Sequence, residues 1–203
     1  MLFRSALSPV IGAIASRLAG AAAIRLWDDQ LVWKEPVDDD TTGVVGWHTD
    51  RAYWMTCTSE DMLTAWIPFH DCPAEMGPLM VLDGSHRWEG TDQMRSFKNR
   101  NLADVGVPIP VQDVKELIRA MALLKGQMSF HHCRTVHGSA TNRGSRPRVS
   151  LAVHLQDGAN HWRPFCNVNG SRLELANDRM TQRHPDGTPD YSDPALFPPY
   201  GLD

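Results

Sequence analysis

Apolar residues recur at i, i+4 and i+8 in one early segment, Val10, Ile14 and Leu18, and at every second position in several later ones. The first pattern predicts an amphipathic helix, opened by Ser8-Pro9 and closed by Gly20. The second predicts strands. Ala23–Trp27 and Gln30–Trp33 read as two of them, with a turn at Asp28-Asp29. Val44–Trp54 and Leu63–Phe69 are rich in β-branched and aromatic residues, and Leu79–Leu82 is a short strand closed by Asp83-Gly84-Ser85. Gln127–His131 and Arg148–Leu155 complete the set, with Val149, Leu151, Val153 and Leu155 on one face of the last. Between them, Arg87–Pro108 has little periodicity and reads as a long loop or lid. Val111–Leu124 holds a short helical turn carrying Val114, Leu117 and Ile118. The tail from Asn177 is dense in Pro, Asp and Arg and reads as irregular.

Many short strands with Gly, Pro and Asp turns point to a mainly β fold, an antiparallel sandwich or jelly roll. At 203 residues the chain fits one domain. We divide it into an N-terminal helix (1–22), a barrel core (23–157) and an irregular C-terminal segment (158–203). A hydrophobic fraction of 42% and a charged fraction of 22% are ordinary for a globular protein. The net charge of −4, with no basic run among aromatics, argues against nucleic acid as a partner. No stretch is long and apolar enough to span a membrane. Cys57, Cys72, Cys133 and Cys166 are widely spaced, which predicts reduced thiols and a cytoplasmic protein.

The candidate chemistry lies in histidines. His-x-Asp occurs twice, at His48–Asp50 and His184–Asp186. The second has Pro185 at its centre in a polar tail, which disfavours a strand. The first sits in a strand-like segment, where i and i+2 project to one face. Further on, His131-His132-Cys133 and His137 offer more ligands. Two imidazoles and a carboxylate can hold a ferrous ion and leave positions open. A zinc site on His132, Cys133 and His137 is the rival reading, although a closed zinc site needs four ligands. Trp47, Tyr53, Trp54, His161 and Trp162 are candidates to line the mouth of a small-molecule substrate pocket, with Arg51 or Arg87 available for an anionic group.

Four motifs stand in order: Gly46-Trp47-His48-Thr49-Asp50; Leu63-Thr64-Ala65-Trp66-Ile67-Pro68; Gly77-Pro78 through Ser85-His86; and Gly126 through His132 leading to His137-Gly138-Ser139 and Arg146-Pro147-Arg148. Together they resemble the phytanoyl-CoA dioxygenase family over roughly residues 24–155. The resemblance implies a double-stranded β-helix enzyme using Fe(II), 2-oxoglutarate and O2. It implies His48, Asp50 and His137 as the iron ligands. Arg148 would grip the distal carboxylate of 2-oxoglutarate, ahead of Arg146, with Gln30, Trp66 and Ser139 as further co-substrate contacts. Asp50 fills a coordination site that halogenating relatives leave to chloride, so the resemblance favours hydroxylation of a C–H bond, with release of succinate and CO2. About two dozen residues precede the first strand, fewer than the family usually has. A catalytically impaired or truncated binding protein of the same fold is the alternative, as is a protomer completed by a second copy in a homo-oligomer.

Overall fold

A computed structural model describes residues 5–107 and 113–201. The end of the expected lid and the start of the Val111–Leu124 stretch lie outside these residues. The fold is mainly β, a double-stranded β-helix with few helices. Strand order is β1-β8-β3-β6 in one four-stranded sheet and β2-β7-β4-β5 in the other. The strands are β1 (Ile24–Lys34), β2 (Val45–His48), β3 (Leu63–Pro68), β4 (Met80–Leu82), β5 (Ile118–Ala120), β6 (Ser129–His132), β7 (His137–Ser139) and β8 (Arg148–Asp157). Helices among the described residues include α1 (Pro9–Ala19) and α2 (Ala176–Met180).

The chain divides into two compact units. The first holds the described residues through Asp29, Trp54–Ala65, and those from Val153 on. Its aromatic core centres on Trp27, stacked on Phe197 at 5.1 Å and met edge-on by Tyr191 at 4.8 Å. The Tyr191 hydroxyl is hydrogen-bonded to Thr56 Oγ1 at 2.7 Å and to Asp178. Burial pushes its pKa far up, so it stays a neutral phenol. A buried Tyr needs such partners for its hydroxyl.

The second unit comprises Gln30–Tyr53 and Trp66–Ala152, and holds the whole β2-β7-β4-β5 sheet. Trp47, Leu82, Met94, Val105, Val114 and Val136 form one buried cluster there, and Trp66, Cys72, Met76 and Leu79 another. β7 is the inner strand that matters most. It pairs antiparallel with β2, opposing His137 to His48, and with β4, opposing His137 to Val81. Two histidines 89 positions apart in sequence thus become cross-strand neighbours.

The lid region forms 3-10 turns at Thr91–Gln93 and Ser96–Lys98, and it packs on β2. Gly46 makes that approach possible. A Cβ there would lie 2.2 Å from the Ser96 carbonyl oxygen and 2.3 Å from that of Asn99. Both are backbone atoms, so they cannot swing aside. Gly46→Ala should therefore push this turn off β2 and cost about 1–3 kcal/mol, as overpacking does. Thermal melting should show a fall of several degrees, and an unchanged Tm would contradict the close contact.

Several elements differ from their expected form. β1 runs unbroken through Asp28-Asp29; the pair marks where the strand passes from mostly buried to mostly exposed residues. On α1 the buried stripe is Ile11, Gly12 and Ala15, while Val10 and Leu18 are exposed. The Val44–Trp54 segment is strand only through His48, then turns as a 3-10 helix from Asp50 to Tyr53. β5 is a strand where a helical turn alone was expected, and α2 interrupts the irregular tail.

Candidate functional site

His48 ends β2, Asp50 opens the 3-10 turn, and His137 begins β7. Asp50 is therefore placed by the turn and not by strand alternation. The Arg51 N–H donates to the Cys133 carbonyl at 2.9 Å, and the Thr49 N–H to the Met94 carbonyl at 3.2 Å, which fixes the corner. One ligand atom from each of His48, Asp50 and His137 lies within 4.8 Å of the others, and all three residues are buried. Each histidine uses Nδ1 on a backbone carbonyl, His48 on Gly46 at 2.8 Å and His137 on Thr135 at 2.9 Å. A carbonyl only accepts, so Nδ1 carries the proton and Nε2 keeps its lone pair. Burial first, and then the nearby His48 imidazole, hold the His137 pKa well below the ordinary imidazole range. His137 is thus neutral at pH 7, as a ligand must be. Two lone pairs and one carboxylate converging in a buried place fit a divalent transition metal.

The zinc alternative fares worse. Among the described residues, the group able to hold a metal is His48, Asp50 and His137. His132 instead accepts the Arg134 N–H at 3.1 Å, and Cys133 Sγ stands 3.9 Å from His132 Nδ1.

A second feature of the same unit is cationic. Arg148 opens β8 with 2% of its surface exposed, its guanidinium 5.6 Å from the centre of the Trp66 ring. Its Nε is buried without a hydrogen-bond partner. Lys34, at the end of β1, is 5% exposed; its Nζ donates to Ser139 Oγ at 2.7 Å and to the Ala140 carbonyl at 2.6 Å. Burial, reinforced by the Arg148 charge, lowers the Lys34 pKa from 10.5 to about 7. Burial also lowers that of Arg148. The nearby Cys72 thiol is itself pushed up by burial, so it stays neutral at pH 7 and does not balance the pair. Two desolvated cations without a carboxylate are costly unless an anion joins them. The chemistry of this pair suits an anion.

Of the expected co-substrate contacts, Arg148, Trp66 and Ser139 come together here, and Gln30 is exposed on β1. Lys34, four residues on along the same face, is the residue not anticipated. Arg146 is exposed, its Nη2 reaching only the Asp71 carbonyl at 3.5 Å. The substrate candidates divide. Trp47 is a correction: it is 1% exposed, packs in the core and donates Nε1 to the Leu102 carbonyl at 2.8 Å. It adjoins His48 on a strand, so it faces the other way. Arg51 is 2% exposed and sits on the 3-10 turn that carries Asp50. Trp54 is buried in the first unit, edge-on to His154 at 4.9 Å. Tyr53 is half-buried, 6.1 Å from the His48 ring, with Arg95 over its face at 5.6 Å. Phe97 of the lid, 48% exposed, meets His48 edge-on at 5.1 Å. An exposed aromatic against a candidate ligand is a signal that burial, not sequence, reveals.

The profile of the phytanoyl-CoA dioxygenase (PhyH) family matches residues 2–150. This chain belongs to the phytanoyl-CoA dioxygenase family. Among solved structures of similar fold is the non-heme alpha-ketoglutarate-dependent carbocyclase SnoK from nogalamycin biosynthesis. It is 29% identical, with a TM-score of 0.72 over 98% of this chain and 71% of its own. The epimerase SnoN, solved with Fe3+, alpha-ketoglutarate and nogalamycin RO, is 27% identical, with a TM-score of 0.71 over 98% of this chain and 73% of its own. EctD from S. alaskensis, solved with 2-oxoglutarate and 5-hydroxyectoine, shares the fold at 22% identity and a TM-score of 0.60, over 79% of this chain and 54% of its own. No curated protein matches the chain by sequence. Among the described residues of this family member, no helix is long and apolar enough to cross a membrane.

Proposed function

We propose that this chain is a non-haem Fe(II)- and 2-oxoglutarate-dependent dioxygenase that hydroxylates a C–H bond of a small organic substrate. The observation that carries this reading is one strand. β7 presents His137 and Ser139 two residues apart, one in the three-donor cluster and the other bonded to Lys34. Residues i and i+2 share a face and lie about 7 Å apart along a strand. That spacing suits a five-carbon diacid with one end at the metal donors and the other at the cation pair.

His48, Asp50 and His137 would hold the iron. Bound there, Fe(II) would supply the centre at which O2 is reduced while 2-oxoglutarate loses CO2 and becomes succinate. The residues of the chain orient and shield. Arg148 offers a planar fork to the distal carboxylate. Its unpartnered Nε and the Lys34 ammonium complete the charge balance, and Ser139 keeps a proton to donate while accepting from Lys34. Trp66 covers the guanidinium face and excludes water, which strengthens the ion pair. Phe97 and Tyr53, against His48, suit an apolar or planar portion of the substrate. The four free cysteines suit a reducing compartment such as the cytoplasm.

Lys34 gives the reading a pH signature. Its pKa falls from 10.5 to about 7 on folding, so between those values the folded state binds fewer protons than the unfolded. This group therefore raises stability as pH climbs through that window. A bound dianion reverses the preference, because it favours the ammonium. Above about pH 7, 2-oxoglutarate must bind with a proton, and its affinity should fall by up to about tenfold per pH unit. Lys34→Met should weaken binding at pH 7 and flatten the slope, as read by calorimetry. A wild-type slope in that variant would remove Lys34 from the site.

The activity itself is tested by screening small substrates, including planar polycyclic ones, for enhanced succinate release with Fe(II) and 2-oxoglutarate. Mass spectrometry of the product then reads the outcome. Gain of one oxygen supports hydroxylation. Loss of two hydrogens indicates ring closure, and an unchanged mass indicates epimerisation; either would replace hydroxylation while keeping the cofactors. No succinate at all would sink the enzyme.

A further inference from the structure

His131 has no part in the three-donor group, yet its ring stands against the Asp50 carboxylate. On β6 it alternates with His132, which is half-buried, while its own side chain is only 4% exposed. Neither of its ring nitrogens makes a hydrogen bond. An imidazole buried with both nitrogens unmet is rare and costly, and such a group commonly has a functional reason. The polar atom it faces is Asp50 Oδ2, 3.3 Å from His131 Nε2. Oδ1 of the same carboxylate faces His137 Nε2 at 3.5 Å. The two rings pack 4.4 Å apart, tilted by 47°. Each oxygen of Asp50 thus faces an imidazole.

We propose that His131 is a positioning residue that holds Asp50 Oδ2 and keeps this carboxylate to one-oxygen coordination of the metal. The inference rests on the reading of His48, Asp50 and His137 as ligands. A free carboxylate can chelate through both oxygens and would then occupy two positions. A donor on Oδ2 prevents this. Three protein donors on one face then leave three positions, enough for the two oxygens of a 2-oxo acid and for O2. Groups that hydrogen-bond metal ligands from outside typically fix their orientation in this way. A neutral ring suffices when Nε2 carries its hydrogen toward Oδ2, 3.3 Å away.

The test uses Co(II) as a spectroscopic substitute in the full-length protein under anaerobic conditions. Its visible absorption reports both occupancy and coordination number. His131→Phe keeps an aromatic ring and removes the donor. It should weaken Co(II) binding by about 10–100-fold and change band intensity, in line with loss of an outer partner. His131→Gln retains an N–H within reach of Oδ2 and should recover most of the affinity and the wild-type spectrum. Melting of the metal-free proteins controls for folding; should His131→Phe fail to fold, His131→Leu takes its place. A wild-type affinity and spectrum in the apolar variant would overturn the proposal. So would a folded His131→Gln as weak as that variant. Failure of the ligand reading looks different: His48→Ala would then bind Co(II) like wild type.

Discussion

Asp50→Ala should reduce 2-oxoglutarate-dependent succinate formation to background and weaken ferrous binding by more than about 100-fold. The floor comes from comparison: losing a group that merely supports a ligand costs about 10–100-fold, and losing the ligand costs more. Asp50 is the sole anion among the three donors, so its removal leaves two neutral imidazoles to hold a divalent charge. It also leaves His131 Nε2 facing a void. The fold should survive, because the corner is fixed by backbone bonds from Thr49 and Arg51 and not by the carboxylate. Circular dichroism and a metal titration on the same sample separate the two effects. Persistent wild-type turnover would show that the ligand assignment is wrong.

Arg148→Met should cost about 2–5 kcal/mol of 2-oxoglutarate binding, the usual penalty for truncating one member of a buried charge pair. That is roughly a 30- to several-thousand-fold rise in Kd. The variant should fold as well as wild type or better. It removes a desolvated charge that, without an anion, lies beside Lys34 and a neutral Cys72 thiol. The expected pattern is a lost co-substrate site in a protein with an unchanged or raised Tm, with ferrous affinity little altered. Equal loss of metal and 2-oxoglutarate binding would mean that Arg148 supports the fold instead.

The sequence carries most of this site because metal ligation and carboxylate binding restrict residue type. His48, Asp50, His137 and Arg148 can be found by kind, order and spacing, and the structure sets the first three within 4.8 Å of one another. Lys34 was not legible. Alternation in this stretch turns the apolar pair Leu31 and Trp33 inward, whereas the structure exposes both and buries Lys34. A buried lysine is rare without a partner or a role, but its burial is known only from the fold. Trp47 illustrates the reverse error. As an aromatic it read as a candidate for the pocket mouth, whereas adjacent strand positions point apart and it faces away from His48. Asp50 reached its place by a route that periodicity misrepresents, since the strand ends at His48 and a 3-10 turn turns the next residues. Least legible were groups placed by long-range contacts. Phe97 belongs to a lid with no pattern of its own, and its approach to His48 depends on the lid packing against Gly46. His131 reads as an ordinary core histidine until its unmet nitrogens and Asp50 are seen together.

The most direct measurement is an anaerobic titration of the full-length protein with Fe(II) and then 2-oxoglutarate, followed by visible absorption. The account predicts a metal-to-ligand charge-transfer band that saturates at one equivalent of each and vanishes in Asp50→Ala. Absence of the band in wild type, or its survival in that variant, would contradict it.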